Sequence, residues 1–575
     1  MDDGPGIAHT QVRQTEAPFA HRTAFNGSGS EQRQLGAYYT CPLAAMHMAQ
    51  WVIQKPTTTI LEPSFGSGVF IRAIQNVRAK KSRIKVLGAE ISKEEVAHSI
   101  AHGLLNPEDV HADDFLTMRP SRVDAVIGNP PYVRLRHLPT DQEKHALSVA
   151  RRSLGQEMES SGSLWMPFVL HAMSFLKKGG RMALVLPYEF TYVRYGLPLW
   201  TKLGRSFGDL RVARVHERLF PDILQDVVIL YADDFGGHSE DVLFETFTDT
   251  AQLELSKPEQ SKRLAVRDIV AGQRSFVHAL LPDTLTGFLQ ERGAEITQPI
   301  KSICTFNIGY VSGDKTFFNP SVSTRSAFRI PSASLVPAIT NGRQLKRMGL
   351  RTTNRDHTVD EMLFLPKELS NGQLRKDDER YVQWGLANKV HLRYKCKVRE
   401  PWYRVPGVKI PDVLLSVFAD RPQMCLNDAE LVASNSLLCG YMKHGAAIDM
   451  VGAWYTSLSM LSCELEVHSL GGGVMILVPN EAGRIAIPKI TNVSRAYVDG
   501  LDERLRAGDA ESAFAFGDEQ LLLKRLKLSR RDLNAVRDGL QSLRRWRSAS
   551  RSDRPAKASD PLLEDIQEEV PLFER

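Results

Sequence analysis

The chain has little of what marks secreted, membrane-spanning or metal-held proteins. Its 575 residues include only six cysteines, with no Cys-x-x-Cys pair and no His/Cys ligand spacing. A disulfide framework and a metal site are therefore not expected, and free buried thiols in a reducing cytoplasm are. No apolar run reaches the roughly 18 residues that a membrane-crossing helix needs. The first residues, Met1-Asp2-Asp3-Gly4-Pro5-Gly6, are acidic and polar, unlike a secretory leader. No internal repeat is apparent. Charge of one sign is also scarce: a net charge of +6 permits a nucleic-acid partner without demanding one, since the charge must cluster to matter.

What is present begins with Asn129-Pro130-Pro131-Tyr132, directly after the apolar run Val123-Asp124-Ala125-Val126-Ile127-Gly128. An amide, two prolines and an aromatic at the end of a buried strand make a rigid platform of acceptors beside a flat face. The exocyclic amine of adenine is a poor nucleophile because its lone pair is delocalised into the ring. Acceptors on its two N–H groups localise that pair. Asn129 offers its side-chain oxygen, and Pro130 its carbonyl. The prolines fix the backbone in advance. Tyr132 offers a stacking surface, with about 1–3 kcal/mol per base in comparable sites. The other reading is an ordinary turn, since Asn-Pro initiates turns.

The position of the tetrapeptide argues against that reading. Ile60-Leu61-Glu62-Pro63-Ser64-Phe65-Gly66-Ser67-Gly68-Val69-Phe70 reads as a strand, a Gly-rich turn and a helix start. Gly66 and Gly68 allow a sharp turn and close approach of a ligand. Glu62, just before the loop, suits a cationic ligand better than a pyrophosphate. Ile84-Lys85-Val86-Leu87-Gly88-Ala89-Glu90 is a second strand ending in an acid, placed to accept from ribose hydroxyls. Asp113-Asp114-Phe115 comes after a short strand near Val110. Each acid alone could be a solvated loop carboxylate; the ordered series is far more specific.

Together these residues resemble the N6-adenine DNA methyltransferases that use S-adenosylmethionine, in the gamma motif order of the Taq-type, restriction–modification enzymes. Residues 63–68 match that family's Pro-x-x-Gly-x-Gly loop. Gly36-Ala37-Tyr38-Tyr39-Thr40-Cys41-Pro42 is similar to its N-terminal motif, with Cys41 inserted relative to the usual Tyr-Thr-Pro. The resemblance implies that Tyr39 and Thr40 lie at the cofactor, Thr40 at its carboxylate. It assigns Glu90 to the ribose, Asp114 (or the adjacent Asp113) to the cofactor adenine amine, and Phe115 to that ring. It makes Asn129, Pro130, Pro131 and Tyr132 catalytic, and Phe220 of Phe220-Pro221-Asp222 the second wall of the target-base pocket. Phe220 as a plain core aromatic is the other reading.

The resemblance implies an α/β fold: a Rossmann-like class I S-adenosylmethionine-dependent methyltransferase sheet with an antiparallel edge hairpin, then a mixed α+β C-terminal target-recognition domain. Alternating strands and helices from about Leu35 support the first part. The strands near Leu210–His216 and Asp226–Ala232, with no helix between them, are the expected hairpin. Four units are expected: a disordered segment 1–34, a catalytic domain 35–235, a recognition region 236–545 and a flexible tail 546–575. Segments near Ile308-Gly309-Tyr310, Arg399-Glu400-Pro401-Trp402-Tyr403, Leu470-Gly471-Gly472-Gly473 and Ile487-Pro488 look like recognition-region motifs.

Basic residues give the candidate DNA contacts. His391-Leu392-Arg393-Tyr394-Lys395-Cys396-Lys397-Val398-Arg399 alternates, so a strand there would put Arg393, Lys395, Lys397 and Arg399 on one side. A solvated strand face is the other reading. A second basic run, Lys524-Arg525-Leu526-Lys527, Arg530-Arg531 and Arg544-Arg545-Trp546-Arg547, lies on helical segments, and either contacts DNA backbone or keeps a terminal helix soluble. The partners implied are double-stranded DNA and a separately encoded cognate restriction endonuclease, in a bacterial cytoplasm, with no membrane. No Asp…Glu-x-Lys nuclease cluster stands out in the chain itself. The same tetrapeptide also suits protein glutamine or RNA N6-adenine methylation, and a DNA-binding module with a dead catalytic core is the non-enzymatic alternative. The long region beyond residue 235 favours DNA.

Overall fold

The computed structural model describes residues 40–78, 83–217, 219, 226–353, 361–370, 372–470 and 473–548. Nine strands form the central sheet: β1 Thr57–Glu62, β2 Arg83–Ala89, β3 Val110–His111, β4 Val123–Gly128, β5 Leu176–Pro187, β6 Phe207–Val215, β7 Val227–Phe235, β8 Asp241–Phe247 and β9 Gln260–Ala265. Their order is β3-β2-β1-β4-β5-β7-β6-β8-β9. Strands β1 to β5 are parallel neighbours. β7 runs antiparallel to both β5 and β6.

The strands form because their apolar residues alternate between two covered faces. Leu61, Val126, Leu184, Leu186, Val228 and Leu230 enter the core on one side. Ile60, Ala125, Ile127, Val185 and Ile229 enter the core on the other. A period of two with both faces buried produces the near-continuous apolar runs of the sequence. The helices Pro42–Val52 and Val69–Val77 supply Ala44, Ala45, Met48, Phe70 and Ile74 to the second core. The helix Trp165–Met173 supplies Trp165, Phe168 and Val169 to the first.

The chain leaves β1 toward β2 and β3, then returns to β4 on the other side of β1. That reversal sets a topological switch point at the carboxyl ends of β1 and β4, the usual position of the ligand crevice in an open α/β sheet.

Three expectations need correction. The β6–β7 hairpin exists, but it is interior: β8 pairs parallel with β6 and β9 closes the edge. The sheet thus ends at Ala265, and a catalytic-domain boundary at 235 falls inside it. β9, Gln-Ser-Lys-Arg-Leu-Ala, is polar at four of its six positions, as an exposed edge strand is; this hid it. Third, residues from 546 do not all form a tail. The helix Arg530–Ser548 continues through Trp546 and Arg547, which are 5% and 8% exposed.

The rest of the chain is mixed α+β. Its largest sheet orders Cys304–Ile308, Leu437–Met442, Val413–Ser416 and Met424–Leu426. The sheet Met362–Phe364, Leu335–Ile339 and Val432–Ala433 adjoins a separate aromatic core of Phe317, Phe318, Phe364 and Tyr381. One apolar core runs continuously from the first face of the central sheet into this region, through Phe276, Leu285, Trp454 and Leu543. Arg547 is sandwiched there: its Nε donates to Glu464 (2.8 Å) and its Nη1 to Asp420 (2.8 Å) and Gly473 O. Arg544 also faces Glu464, and Arg545 pairs with Glu259. The basic run 544–547 therefore joins the two halves of the chain.

All six cysteines are free, five of them buried. No helix among the described residues is long and apolar enough to cross a membrane. No described group of three or more His, Cys, Asp or Glu could hold a metal ion.

Candidate active site

Strand register brings the sequence-predicted residues together. Glu62 ends β1 opposite Gly88 of β2, and Leu61 lies opposite Val126 of β4. The loops after these strands meet at the crevice. In loop 64–68, Gly66 (φ +47°) and Gly68 (φ +78°) hold left-handed backbone, which other residues adopt at a cost of about 1–2 kcal/mol. A Cβ built on Gly66 would meet nothing within 4 Å, so the loop's face is open to a ligand. Glu90 clasps the loop from below: Oε2 accepts from Gly66 N (2.9 Å) and Oε1 from Ser92 N (2.8 Å).

Glu62 is 1% exposed, and its buried Oε2 has no hydrogen-bond partner among the described residues. Burial first, then the nearby Glu90 carboxylate, push its carboxyl well above the usual range; Arg72 opposes this. A buried acid left uncompensated beside an open Gly-rich loop fits a group carrying positive charge. The donor set therefore matches a cationic cofactor: Glu62 for the charge, Glu90 for hydroxyls, loop 64–68 for close backbone approach.

Asp114 is half-buried and caps the turn Phe115–Thr117, accepting from Leu116 N (3.0 Å). Asp113 is exposed and accepts from Asp114 N (2.7 Å). Of these alternatives, Asp114 is the one built into the fold. Phe115 departs from expectation. It is 2% exposed, with its ring centroid 5.2 Å from Phe168 and 5.5 Å from Phe175. It shapes the core under the crevice instead of presenting an open face. Thr40 is buried just before the helix Pro42–Val52, where Cys41 N donates to Leu219 O (2.9 Å). Tyr39 and Phe220 lie outside the described residues.

The turn 129–132 begins immediately after β4. Its Asn129 carbonyl accepts from Ser64 Oγ at 2.9 Å, which fastens the turn to the Gly-rich loop. Asn129 Oδ1 is shielded from solvent, and Pro130 is buried. Tyr132 is half-buried and donates its hydroxyl to Val185 O of β5 (3.1 Å). The turn 129–132 and the glycine-rich loop thus share a rim where Ser64 meets Asn129. Sequence reasoning missed Ser64, Arg134 and Glu189. Glu189 was within reach of the same logic: it lies just beyond the carboxyl end of β5, as Glu62, Glu90 and Asn129 lie at those of β1, β2 and β4.

The basic run 393–399 is not a strand. Tyr394–Lys397 is a single helical turn, and side chains two apart on a helix do not share a face. Arg393 lies 3.6 Å from Asp314. Arg399 donates to Ser312 O (2.7 Å) and Val311 O, holding a loop. Lys397 is exposed and Lys395 half-buried. Backbone carbonyls at 311 and 312 claim the last arginine of the alternation, which spacing alone could not show.

Two family models match separate parts of the chain. The family model for the Eco57I restriction-modification methylase matches residues 73–203. The model for the C-terminal domain of the Type II methyltransferase M.Eco57I matches residues 273–522. The chain is 24% identical over 401 residues to the Type II methyltransferase M.AccI of Acinetobacter calcoaceticus, covering 68% of this chain and 72% of that one. It is 22% identical over 487 residues to M.XamI of Xanthomonas campestris pv. amaranthicola, covering 82% and 88%. Among solved structures, it is similar to the Type IIL restriction-modification enzyme MmeI, determined in complex with DNA (TM-score 0.49, 12% identity, 95% and 80% covered). It is also similar to the type IIG restriction endonuclease BpuSI (TM-score 0.40, 12% identity, 89% and 65% covered).

Proposed function

We propose that this chain, a restriction–modification DNA methyltransferase, transfers a methyl group from S-adenosylmethionine to N6 of an adenine turned out of duplex DNA. The observation that carries the reading is the joint rim: Ser64 of the cofactor-type loop is hydrogen-bonded to Asn129 of the amine-binding turn. Two sites so coupled can hold a donor and an acceptor of one group side by side.

S-adenosylmethionine supplies an electrophilic methyl on a cationic sulfur. Glu62 binds the positive end of that ligand, Glu90 its ribose hydroxyls, and Asp114 its adenine amine; Tyr39 and Thr40 close the carboxylate end. Asn129 Oδ1 and the Pro130 carbonyl accept from the two N6 hydrogens of the target base and concentrate the lone pair on nitrogen. The N6 nitrogen bonds the methyl carbon as that carbon's bond to sulfur breaks, the electron pair staying on sulfur in S-adenosylhomocysteine, and one N6 proton passes to solvent water. Tyr132 stacks on the base, with Phe220 as the opposite wall. Turning out the base costs a few kcal/mol, which stacking and the two hydrogen bonds offset.

The region after Ala265 reads the site on the duplex, and Lys395 and Lys397 contact phosphates to set its register. A separately encoded endonuclease would cleave the unmodified sequence. Long-read sequencing of DNA from cells expressing the protein tests this reading. N6-methyladenine confined to one short sequence context is the expected result. Methyl incorporation into RNA or protein, with unmodified DNA, would overturn it.

A further inference from the structure

The turn 129–132 has a second support on its far side. Beyond Tyr132 the chain lies as a short antiparallel bridge, Arg134 opposite Ser163. Leu164 N and Ser163 Oγ both donate to Val133 O (2.8 and 3.1 Å), and Leu135 N donates to Gly162 O (2.9 Å). The side chain of Arg134 then reaches across to Glu189, two residues past the end of β5, with Nη2 to Oε2 at 3.0 Å. Glu189 collects two further donors on its other oxygen: Tyr195 OH (2.7 Å) and Trp165 Nε1 (3.2 Å). Arg134 Nη1 donates to Tyr195 OH at 3.2 Å, which closes a ring of contacts.

Both members of the ion pair are largely shielded, with side chains 29% and 19% exposed. The pair is thus screened less than a surface pair. The carboxylate accepts from three different segments: the chain after the catalytic turn, the first residue of the helix Trp165–Met173, and the loop after β5. Tyr132 meanwhile is tied to β5 through Val185. Two struts, one through a phenol and one through a guanidinium, fix the turn against the same strand.

We propose that Glu189 is a positioning residue that sets the catalytic turn through Arg134; its effect on turnover rests on the methyltransferase reading above. Glutamine cannot replace it. One of its two oxygens becomes an NH2 donor, while Arg134 and Trp165 can only donate. Whichever way the amide lies, one of them faces a donor.

The test compares wild type with Glu189→Gln and, from the other end of the pair, Arg134→Gln. Hydrogen–deuterium exchange of peptides spanning 129–135, cofactor affinity and single-turnover methyl transfer are measured on each. Faster exchange at 133–135 with the rest of the sheet unchanged is expected. Cofactor affinity should hold within about twofold, and the transfer rate should fall by up to about 100-fold, the scale of a misplacement near 1 Å. The double variant should cost no more than either single, because the two act as one unit. Unchanged exchange and rate would overturn the proposal, and so would loosening spread over the whole sheet, which marks a general structural role. If wild type transfers no methyl to DNA while the local exchange shift is present, the positioning role stands and the DNA-methylation reading falls.

Discussion

Glu62→Gln is the substitution whose consequences the site geometry specifies most fully. The carboxyl is 1% exposed, one oxygen has no partner among the described residues, and Glu90 adds repulsion. Both effects raise its pKa above the ordinary carboxylate range, so the free protein holds a proton that the unfolded chain releases. Below the unfolded pKa both states are protonated and the pH-dependent term is absent. As pH rises above it, the unfolded state ionises first, and the contribution of Glu62 to stability becomes progressively unfavourable. Glutamine removes that pH dependence. The melting temperature of the Glu62→Gln variant should gain on wild type as pH increases from 5 to 8.

Binding should move the other way. A hydrogen bond to a charged group contributes about 1.5–3 kcal/mol, which corresponds to a loss of about 10- to 150-fold in affinity for S-adenosylmethionine. Wild-type binding should also release protons, because the cation favours the ionised carboxylate. Titration calorimetry in two buffers of different ionisation heat reads both quantities. Equal affinity in the two proteins across this pH range, with no proton release by wild type, would refute the argument that Glu62 is the cation-binding group.

Other expectations concern the rest of the chain. Arg547→Ala removes the main partner of Glu464, whose side chain is 3% exposed; breaking a buried pair from one side costs about 3–5 kcal/mol, and chemical denaturation should show it. Lys395→Ala and Lys397→Ala should weaken DNA binding on every sequence alike and reduce the slope of log affinity against log salt by about 1 each. Unchanged salt slopes would remove this segment from the interface. Gly66→Ala should destabilise by about 1–2 kcal/mol through its left-handed backbone, and weaken cofactor binding further because the added methyl enters the open face of the loop.

The parts legible in the sequence were those whose chemistry is local. Three strands of the parallel half, β1, β2 and β4, carry apolar residues into their carboxyl ends, and each is closed by a polar residue at or just past its end: Glu62, Glu90, Asn129. Parallel register then brings them together without further information. Long-range pairing was not legible. The sequence does not say that β8 adds to β6, because β8 mixes Asp241 and Glu245 with Leu243 and Phe247 on one side, and β9 is polar on both sides. It does not say that Lys177-Lys178-Gly179-Gly180 lies within β5 after the helix has already ended at Met173. Arginines were the least legible of all. Arg399, Arg544 and Arg547 read as a nucleic-acid face, and each is turned inward onto a carbonyl or a carboxylate from a distant segment.

The most direct measurement is nucleoside analysis of duplex DNA incubated with the purified protein and isotopically labelled S-adenosylmethionine, alongside Asn129→Ala. Label in N6-methyladenine with wild type and none with the variant, at equal cofactor affinity, is the predicted result. Label on cytosine would contradict the adenine reading, and label on a ring carbon, or undiminished transfer by Asn129→Ala, would contradict the account of how this turn activates an amine.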